Sequence, residues 1–298
     1  MNPAERALLS TRSSQFKLNY QYREFHFKLH ELEHSAPEKP IVELTKIHNS
    51  ENVLGLILAF YVSFAIPARK TAAILKSVWG LKVSYQTVLN YAAAAAFNCH
   101  SFNLKHKGPI DPISAGDETY IKVLGKHRYV FFFISSKNLK ITAYHVADNR
   151  GTQPAIIAMK EAIRTAAPGQ KLILISDGNP SYPAGIHFLN ADIQEGDQPP
   201  LQHHKVIGLQ NLDAESTEWR PFKQLIERLN RTYKYHVRPA AGFNSDNGAI
   251  VLTTLFVTHY NFLRPHMSLN YTPPMELPEL NAISTIQGRW VKILSLAA

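Results

Sequence analysis

Three acidic residues stand in settings that would let them work together: Asp117 in Gly-Asp-Glu-Thr-Tyr, Asp177 in Ile-Ser-Asp-Gly-Asn, and Glu227 in Ile-Glu-Arg-Leu-Asn-Arg. Carboxylate oxygens are the preferred ligands of hard divalent cations such as Mg²⁺. Three carboxylates brought together repel one another unless cations neutralise them, and two ions about 4 Å apart stabilise both the attacking and the leaving oxygen of an in-line phosphoryl displacement. Convergence of these side chains would therefore suit phosphodiester cleavage or transfer. Singly, each has an ordinary explanation: a solvated strand carboxylate for Asp117, a turn residue in Asp-Gly-Asn-Pro for Asp177, and an i, i+4 partner of Arg231 for Glu227.

The elements that would position them are legible from periodicity. Runs at 114–124, 129–135 and 141–146, separated by turn-prone Gly125-Lys126 and Lys137-Asn138, predict three successive antiparallel strands. A helix at 152–166, with Ala155, Ile156, Met159 and Ile163 on one side, ends at Pro168-Gly169 and leads into an apolar strand at 171–176. Asp177 follows that strand at its carboxyl end, where sites in α/β sheets tend to form. A surface loop at 196–200 and a short strand at 203–207 come next. In the first strand, a period of two puts Asp117, Thr119, Ile121 and Val123 on one face and Glu118, Tyr120 and Lys122 on the other. Adjacent Asp and Glu are thus not expected to serve one metal, and Asp117 is taken as the ligand.

From 221 to 233 a helix carries Phe222, Leu225, Ile226, Leu229 and Tyr233 as an apolar stripe, with Lys223, Glu227, Asn230, Arg231 and Lys234 on another face. Glu227 therefore leaves the core among cations suited to DNA phosphates. A last helix at 246–262 and a Pro-rich tail complete the chain. The expected architecture is α/β: a ribonuclease H-like core, a mixed five-stranded sheet with flanking helices, preceded by an all-α helix-turn-helix domain.

That preceding part begins with an apolar stretch at 53–66, read as a buried helix, since a membrane span needs about 20 residues. Pro67 suits a first helical turn, Ala72, Ile74, Leu75 and Val78 give an inner side, and Gly80 a stop. Ser84 is a plausible N-cap for a second helix packed through Val88, Leu89 and Ala92. Two helices around a short Gly-containing turn have the proportions of a helix-turn-helix, although an ordinary helical hairpin has them too. As a recognition helix its start would present Tyr85, Gln86, Thr87 and Asn90 to bases, with Lys82 reaching phosphate.

The bulk composition agrees with an anionic partner. The chain of 298 residues is 45% hydrophobic, enough for a packed core, and carries a formal charge of +9. Residues 1–110 hold 13 Lys/Arg against 7 Asp/Glu, so the front third is the more basic part. Cys99 is the single cysteine, which excludes an internal disulfide and any multi-thiolate zinc site and fits a reducing, intracellular setting. In the first 50 residues His26, His30 and His34 recur at helical spacing that could hold zinc, whereas Leu18, Tyr20 and Tyr22 alternate like a strand; no activity is assigned to them.

These strings resemble the DDE transposases of bacterial and archaeal insertion sequences, most closely the insertion-sequence-six type. Residues 117–123, Asp-Glu-Thr-Tyr-Ile-Lys-Val, followed by Gly125-Lys126, are similar to that family's first-Asp motif, and Ser176-Asp177-Gly178 to its second. Ile226-Glu227-Arg228-Leu229-Asn230-Arg231, continuing to Lys234, resembles the Glu motif, and residues 260–266 with Thr272-Pro273 the segment after it. Residues 80–91 resemble the helix-turn-helix that recognises terminal inverted repeats. The 50 residues from Asp177 to Glu227 exceed the family's usual spacing, which leaves the alignment of that gap, and any role of His203 and His204 in it, open.

The resemblance implies an enzyme in which Asp117, Asp177 and Glu227 bind two Mg²⁺ ions, with Mn²⁺ able to substitute. It implies DNA nicking that frees a 3′-OH, and attack of that hydroxyl on target DNA. The partners would be double-stranded DNA, as inverted repeats and target, and further copies of the chain as a homodimer or larger assembly, in a prokaryotic cytoplasm at the nucleoid with no membrane association. The expected domains are 1–50, of open role; 51–108, helix-turn-helix; 109–267, catalytic; and 268–298, a C-terminal tail. A DNA-binding regulator or inactive remnant without strand transfer, or a nuclease that cuts without joining, would share much of this sequence pattern.

Overall fold

The computed structural model describes residues 28–193, 200–206 and 214–298. It separates into two compact units, Met1–Leu32 and Glu33–Ala298. The described part of the first is a single 3₁₀ turn, Leu29–Glu31, where the Glu31 carboxylate accepts a hydrogen bond from the Lys28 backbone N–H at 2.9 Å. His30 lies in this turn, and Leu18, Tyr20, Tyr22 and His26 fall outside the described residues.

In the second unit the three expected strands form a meander: β1 (Ile113–Val123), β2 (Lys126–Ser135) and β3 (Ile141–Ala147). The first hairpin turns at Leu124-Gly125, one residue earlier than expected, with φ of 49° and 75°. Positive φ at both central positions gives a twist that matches paired strands, which is why the turn settles there. Helix α4 (Thr152–Ile163) crosses to β4 (Ile173–Ser176), parallel to β1, and α5 (Ser181–Ile193) leads toward β5 (Gln202–Lys205), parallel to β4. The sheet order β3-β2-β1-β4-β5 is the mixed five-stranded sheet of a ribonuclease H-like fold. The loop expected at 196–200 lies almost wholly outside the described residues.

Two long helices cover one face of the sheet. In α6 (Ala214–Val237), Ile226, Leu229 and Tyr233 are buried, and in α7 (Asp246–Thr258), Leu252 and Phe256, all against Ile121, Val130 and Phe132 of the sheet. The helix α6 begins seven residues before Pro221, the expected start. Its early turns gain an anchor that local sequence does not reveal: the Trp219 ring stacks on His204 of β5 at 4.3 Å. On the opposite face α4 and α5 pack, with Tyr182 of α5 meeting the rings of Phe131 and Phe133 edge-on.

The helices before the sheet do not close a core alone. The chain forms α1 (Glu51–Leu58), continued by a π-helical turn to Ser63, then α2 (Ala68–Trp79) and α3 (Tyr85–Lys105). Gly80 ends α2 in the left-handed region at φ 68°, and the Ser84 hydroxyl accepts from the Thr87 N–H at 3.0 Å, so both expected caps are present. Val78 and Leu89, expected inside, are 65% and 37% exposed; Leu75 and Val88 are fully buried in the helical core, and Thr71 is buried with its hydroxyl donating to the Ile66 carbonyl. The segment expected as a tail contains α8 (Ile286–Ala297), whose Trp290, Ile293 and Leu294 are buried against α1 and α3. Close approach of α8 to α1 depends on Gly55, where an added Cβ would lie 2.7 Å from the Gln287 carbonyl oxygen. Val251 and Leu255 of α7 join this core, so α7 serves both halves.

One edge of the sheet is covered by the chain just before α1. The Val146 N–H of β3 donates to the Ser35 hydroxyl at 2.9 Å, and the Ser35 N–H donates to His145 Nδ1 at 3.1 Å. His34 packs beside them with His100 and Tyr144, so it belongs to a ring cluster on an extended segment rather than to a helix face. Among the described residues no helix is long and apolar enough to cross a membrane.

Candidate active site at the sheet edge

Strand register brings the first two acids together. Ala115 of β1 pairs in parallel with Ile175 of β4, so two residues further on Asp117 and Asp177 stand level. The strand β4 ends at Ser176, and β1 continues past it without that neighbour. Gly116 is required just before Asp117, because the Phe133 ring crosses the position an added Cβ would take, 2.3 Å away.

Strand alternation set Glu118 apart from Asp117, but the structure brings the two carboxylates together. The two faces are as expected: Asp117 pairs across the ladder with Phe132 on the α6 side, and Glu118 with Phe131 on the α5 side. Yet one carboxylate oxygen each from Asp117, Glu118 and Asp177 lie within 4.8 Å of one another. The pleat separates neighbouring side chains across a continuous sheet; where β4 has stopped, both carboxylates reach around the open end toward Asp177.

Each acid is held by named partners. Asp117 accepts from Lys223 Nζ at 3.0 Å through Oδ1 and from Asn230 Nδ2 at 3.0 Å through Oδ2. Glu118 accepts from Asn179 Nδ2 at 2.9 Å and the Tyr182 hydroxyl at 2.8 Å, with Arg150 at 3.9 Å. Asp177 caps its own turn, taking the Asn179 N–H at 2.9 Å. Behind that turn the Ser176 hydroxyl meets His203 Nε2 at 2.8 Å, which ties β5 to the residue before Asp177.

Lys223 and Asn230 also locate Glu227. Positions i, i+4 and i+7 share one helix face, so Glu227 lies between the two residues that contact Asp117. Among the described residues no hydrogen bond or ion pair engages Glu227, and the i, i+4 pair with Arg231 does not form. Its carboxylate stands outside the 4.8 Å group of the other three. Lys223, read as a surface cation, is a buried partner of Asp117, its side chain only 10% exposed.

The electrostatics favour an added cation. Burial above all, and then the charges of Asp177 and Glu118, push the Asp117 carboxyl up to about 6 against the opposing pull of Lys223. The donor set is entirely hard oxygen, and the amide oxygen of Asn230 is buried beside Asp117 with no partner. These residues fit a divalent cation.

The remaining candidates are dispersed. Arg231 is exposed on α6, and Lys234 Nζ lies 4.2 Å from the centre of the Tyr120 ring. At the α2–α3 turn Lys82 and Gln86 are exposed, whereas Thr87 and Asn90 are half-buried in a cleft shared with residues 41–49, and Gln86 donates to Asn90 at 2.9 Å. Sequence reasoning did not single out Asn179 or Tyr182, and left the role of His203 open. Asn179 had a signal in its turn sequence; Tyr182 and His203 join only through packing.

Residues 115–243 match the family model of a DDE domain, and residues 220–274 that of an integrase core domain. No curated protein matches the chain. Among solved structures, the HTLV-2 integrase catalytic core domain in complex with magnesium is 15% identical, covering 52% of this chain and 90% of its own at a TM-score of 0.36. A chain of the simian T-cell lymphotropic virus intasome in complex with PP2A regulatory subunit B56 gamma is 17% identical at TM-score 0.36, covering 59% of this chain and 60% of its own. The Mos1 strand transfer complex is 12% identical, covering 98% and 85%, at TM-score 0.26. The domain matches and the strand order carry the fold assignment; these looser likenesses add nothing to it.

Proposed function

We propose that this chain is a DDE transposase of the insertion-sequence-six type that nicks DNA to free a 3′-OH and joins that end to target DNA. The observation that carries this reading is the meeting of Asp117, within β1, and Asp177, just past the end of the neighbouring β4, with Glu227 held on the helix face turned toward Asp117. Asp117, Asp177 and Glu227, joined by Glu118, would hold Mg²⁺ or Mn²⁺. Such ions, when bound, supply charge stabilisation of a phosphoryl-transfer transition state.

The chain's own residues would orient that reaction. Lys223 and Asn230 fix the rotamer of Asp117, and the Asn179–Tyr182 pair fixes Glu118. In the nicking step a water oxygen bonds to phosphorus as the P–O3′ bond breaks, leaving a 3′-OH on one fragment and a 5′-phosphate on the other. In the joining step that 3′ oxygen bonds to a target phosphorus, and the target's P–O3′ bond breaks in turn. The exposed Lys82 and Gln86 at the start of α3 are suited to DNA backbone and base edges, consistent with recognition of terminal repeats.

The test is joining of a pre-nicked end to a plasmid with Mg²⁺. Asp117→Asn, Asp177→Asn and Glu227→Gln are each expected to abolish it while end binding persists. A variant that joins at the wild-type rate removes its residue from the site, and wild-type protein that nicks without joining replaces transposition with simple cleavage.

A further inference from the structure

The flank of α6 turned away from Asp117 carries a second cluster of cations, in which Arg231, already read as suited to DNA phosphate, is joined by arginines that the sequence did not single out. Arg231 and Arg228 lie about 40° and about 100° around the helix from Glu227. They open onto a cleft of about 340 Å³ between α6 and the chain after α7, with Arg264, Thr232 and Ser268 also at its wall and Leu225 and Tyr260 among its apolar lining. The Arg264 guanidinium lies 5.5 Å from the centre of the Tyr260 ring. Arg264 also lines an adjoining cleft of about 390 Å³ with Ser63, Phe64 and Arg289, at the helical half of the molecule.

Three features of this track point to one ligand. No acidic residue lines either cleft. Among the described residues no ion pair engages Arg228, Arg231, Arg264 or Arg289. The walls alternate guanidinium with apolar surface, which suits a polymer of phosphates and sugars better than a small anion.

Resting on the reading of this chain as a DNA-processing enzyme, we infer that Arg231, Arg228, Arg264 and Arg289 form a metal-independent track for a DNA sugar–phosphate backbone, leading from the Glu227 helix toward the helical half. The guanidiniums take phosphates, and Leu225 and Tyr260 face deoxyribose. Such contacts position a duplex without reading its sequence.

The track is tested with full-length protein in a chelator, by measuring duplex affinity against salt for duplexes of unrelated sequence. Each phosphate contact contributes about 0.9 to the slope of log affinity against log salt. Arg228→Gln with Arg231→Gln, both exposed positions, is expected to lower the slope by about 2, and addition of Arg264→Gln by about 3, equally for every sequence. Arg128→Gln, which removes a charge already paired with Asp246, is expected to leave the slope unchanged. The corresponding Arg→Lys variants should retain it.

A folded double variant with the wild-type slope overturns the inference, as does a slope lowered equally by Arg128→Gln. Wild-type protein without salt-dependent duplex binding overturns it too. Because these measurements contain no metal, they separate from the joining assay: loss of slope in a protein that never nicks keeps the track and rejects the transposase, and an unchanged slope in variants of an active enzyme does the reverse.

Discussion

The carboxylate edge of the sheet and the α2–α3 turn are built in opposite ways. At the edge, Asp117 and Glu118 are gripped by Lys223, Asn230, Asn179 and Tyr182, which lie from 61 to 113 residues away along the chain. At the turn, Ser84, Thr87, Gln86 and Asn90 bond chiefly with one another, all within a few residues, and Lys82 stands free in solvent. On the function proposed above the contrast has a reason: a site for bond-making needs its groups fixed before substrate arrives, whereas a surface that reads DNA gains from side chains that can adjust. The turn nevertheless depends on distant chain for its mounting, because α3 is seated by Trp290 of α8.

The largest expected effect tests the rigid side of this contrast. Asp117→Asn should lower joining by about a thousand-fold or more, in line with losing a group that acts on the transition state, while duplex affinity in chelator stays within about two-fold. Next comes the mounting. Trp290→Ala removes a fully buried indole shared by α1, α3 and α8 and should cost about 3–5 kcal/mol in chemical denaturation. A smaller loss would mean that the helical half is stable without α8.

A third effect concerns the sheet's other edge. His145 accepts the Ser35 N–H. Its burial pushes it down to about 4, below its usual value near 6.5. The unfolded chain therefore binds a proton that the folded one does not. The stability is present in full above pH 6.5 and falls as pH drops toward 4, by on the order of 2–3 kcal/mol from this residue. Denaturation midpoints across that window should flatten in His145→Gln; an equally steep fall would assign the loss to other groups. Below this stands Gln86→Ala, expected to cost about 1–3 kcal/mol at one preferred base pair and little on random duplex, measured by competition. The smallest is Arg128→Gln, whose partner Asp246 is half exposed, so that solvent screens the pair and chemical denaturation should show little change in stability.

The sheet was legible because its signals are local. Alternation in β1 to β3, a crossover helix and an apolar β4 leave few topologies, and the expected mixed five-stranded sheet is present, with order β3-β2-β1-β4-β5. The α8 helix was equally available, since Ile286, Trp290, Ile293 and Leu294 follow the helical period after the Thr285 cap, but prolines nearby invite a loop reading. Glu118 shows the reverse failure. The alternation rule gave its face correctly, yet the conclusion drawn from that face was wrong, because the rule describes a continuous sheet and Glu118 sits where one neighbour has ended.

By itself, then, the sequence determined which faces are apolar, where strands and most helices run, and which acids have settings suited to metal. These follow from periodicity and capping, which act over a few residues. The tertiary structure alone decided who holds Asp117, that Glu118 shares its site, that Lys223 is buried, and that three arginines on the flank of α6 and the chain after it meet across one cleft. Each of those facts depends on where strands stop and how helices lie against the sheet, and packing between segments far apart along the chain leaves no periodic trace in it.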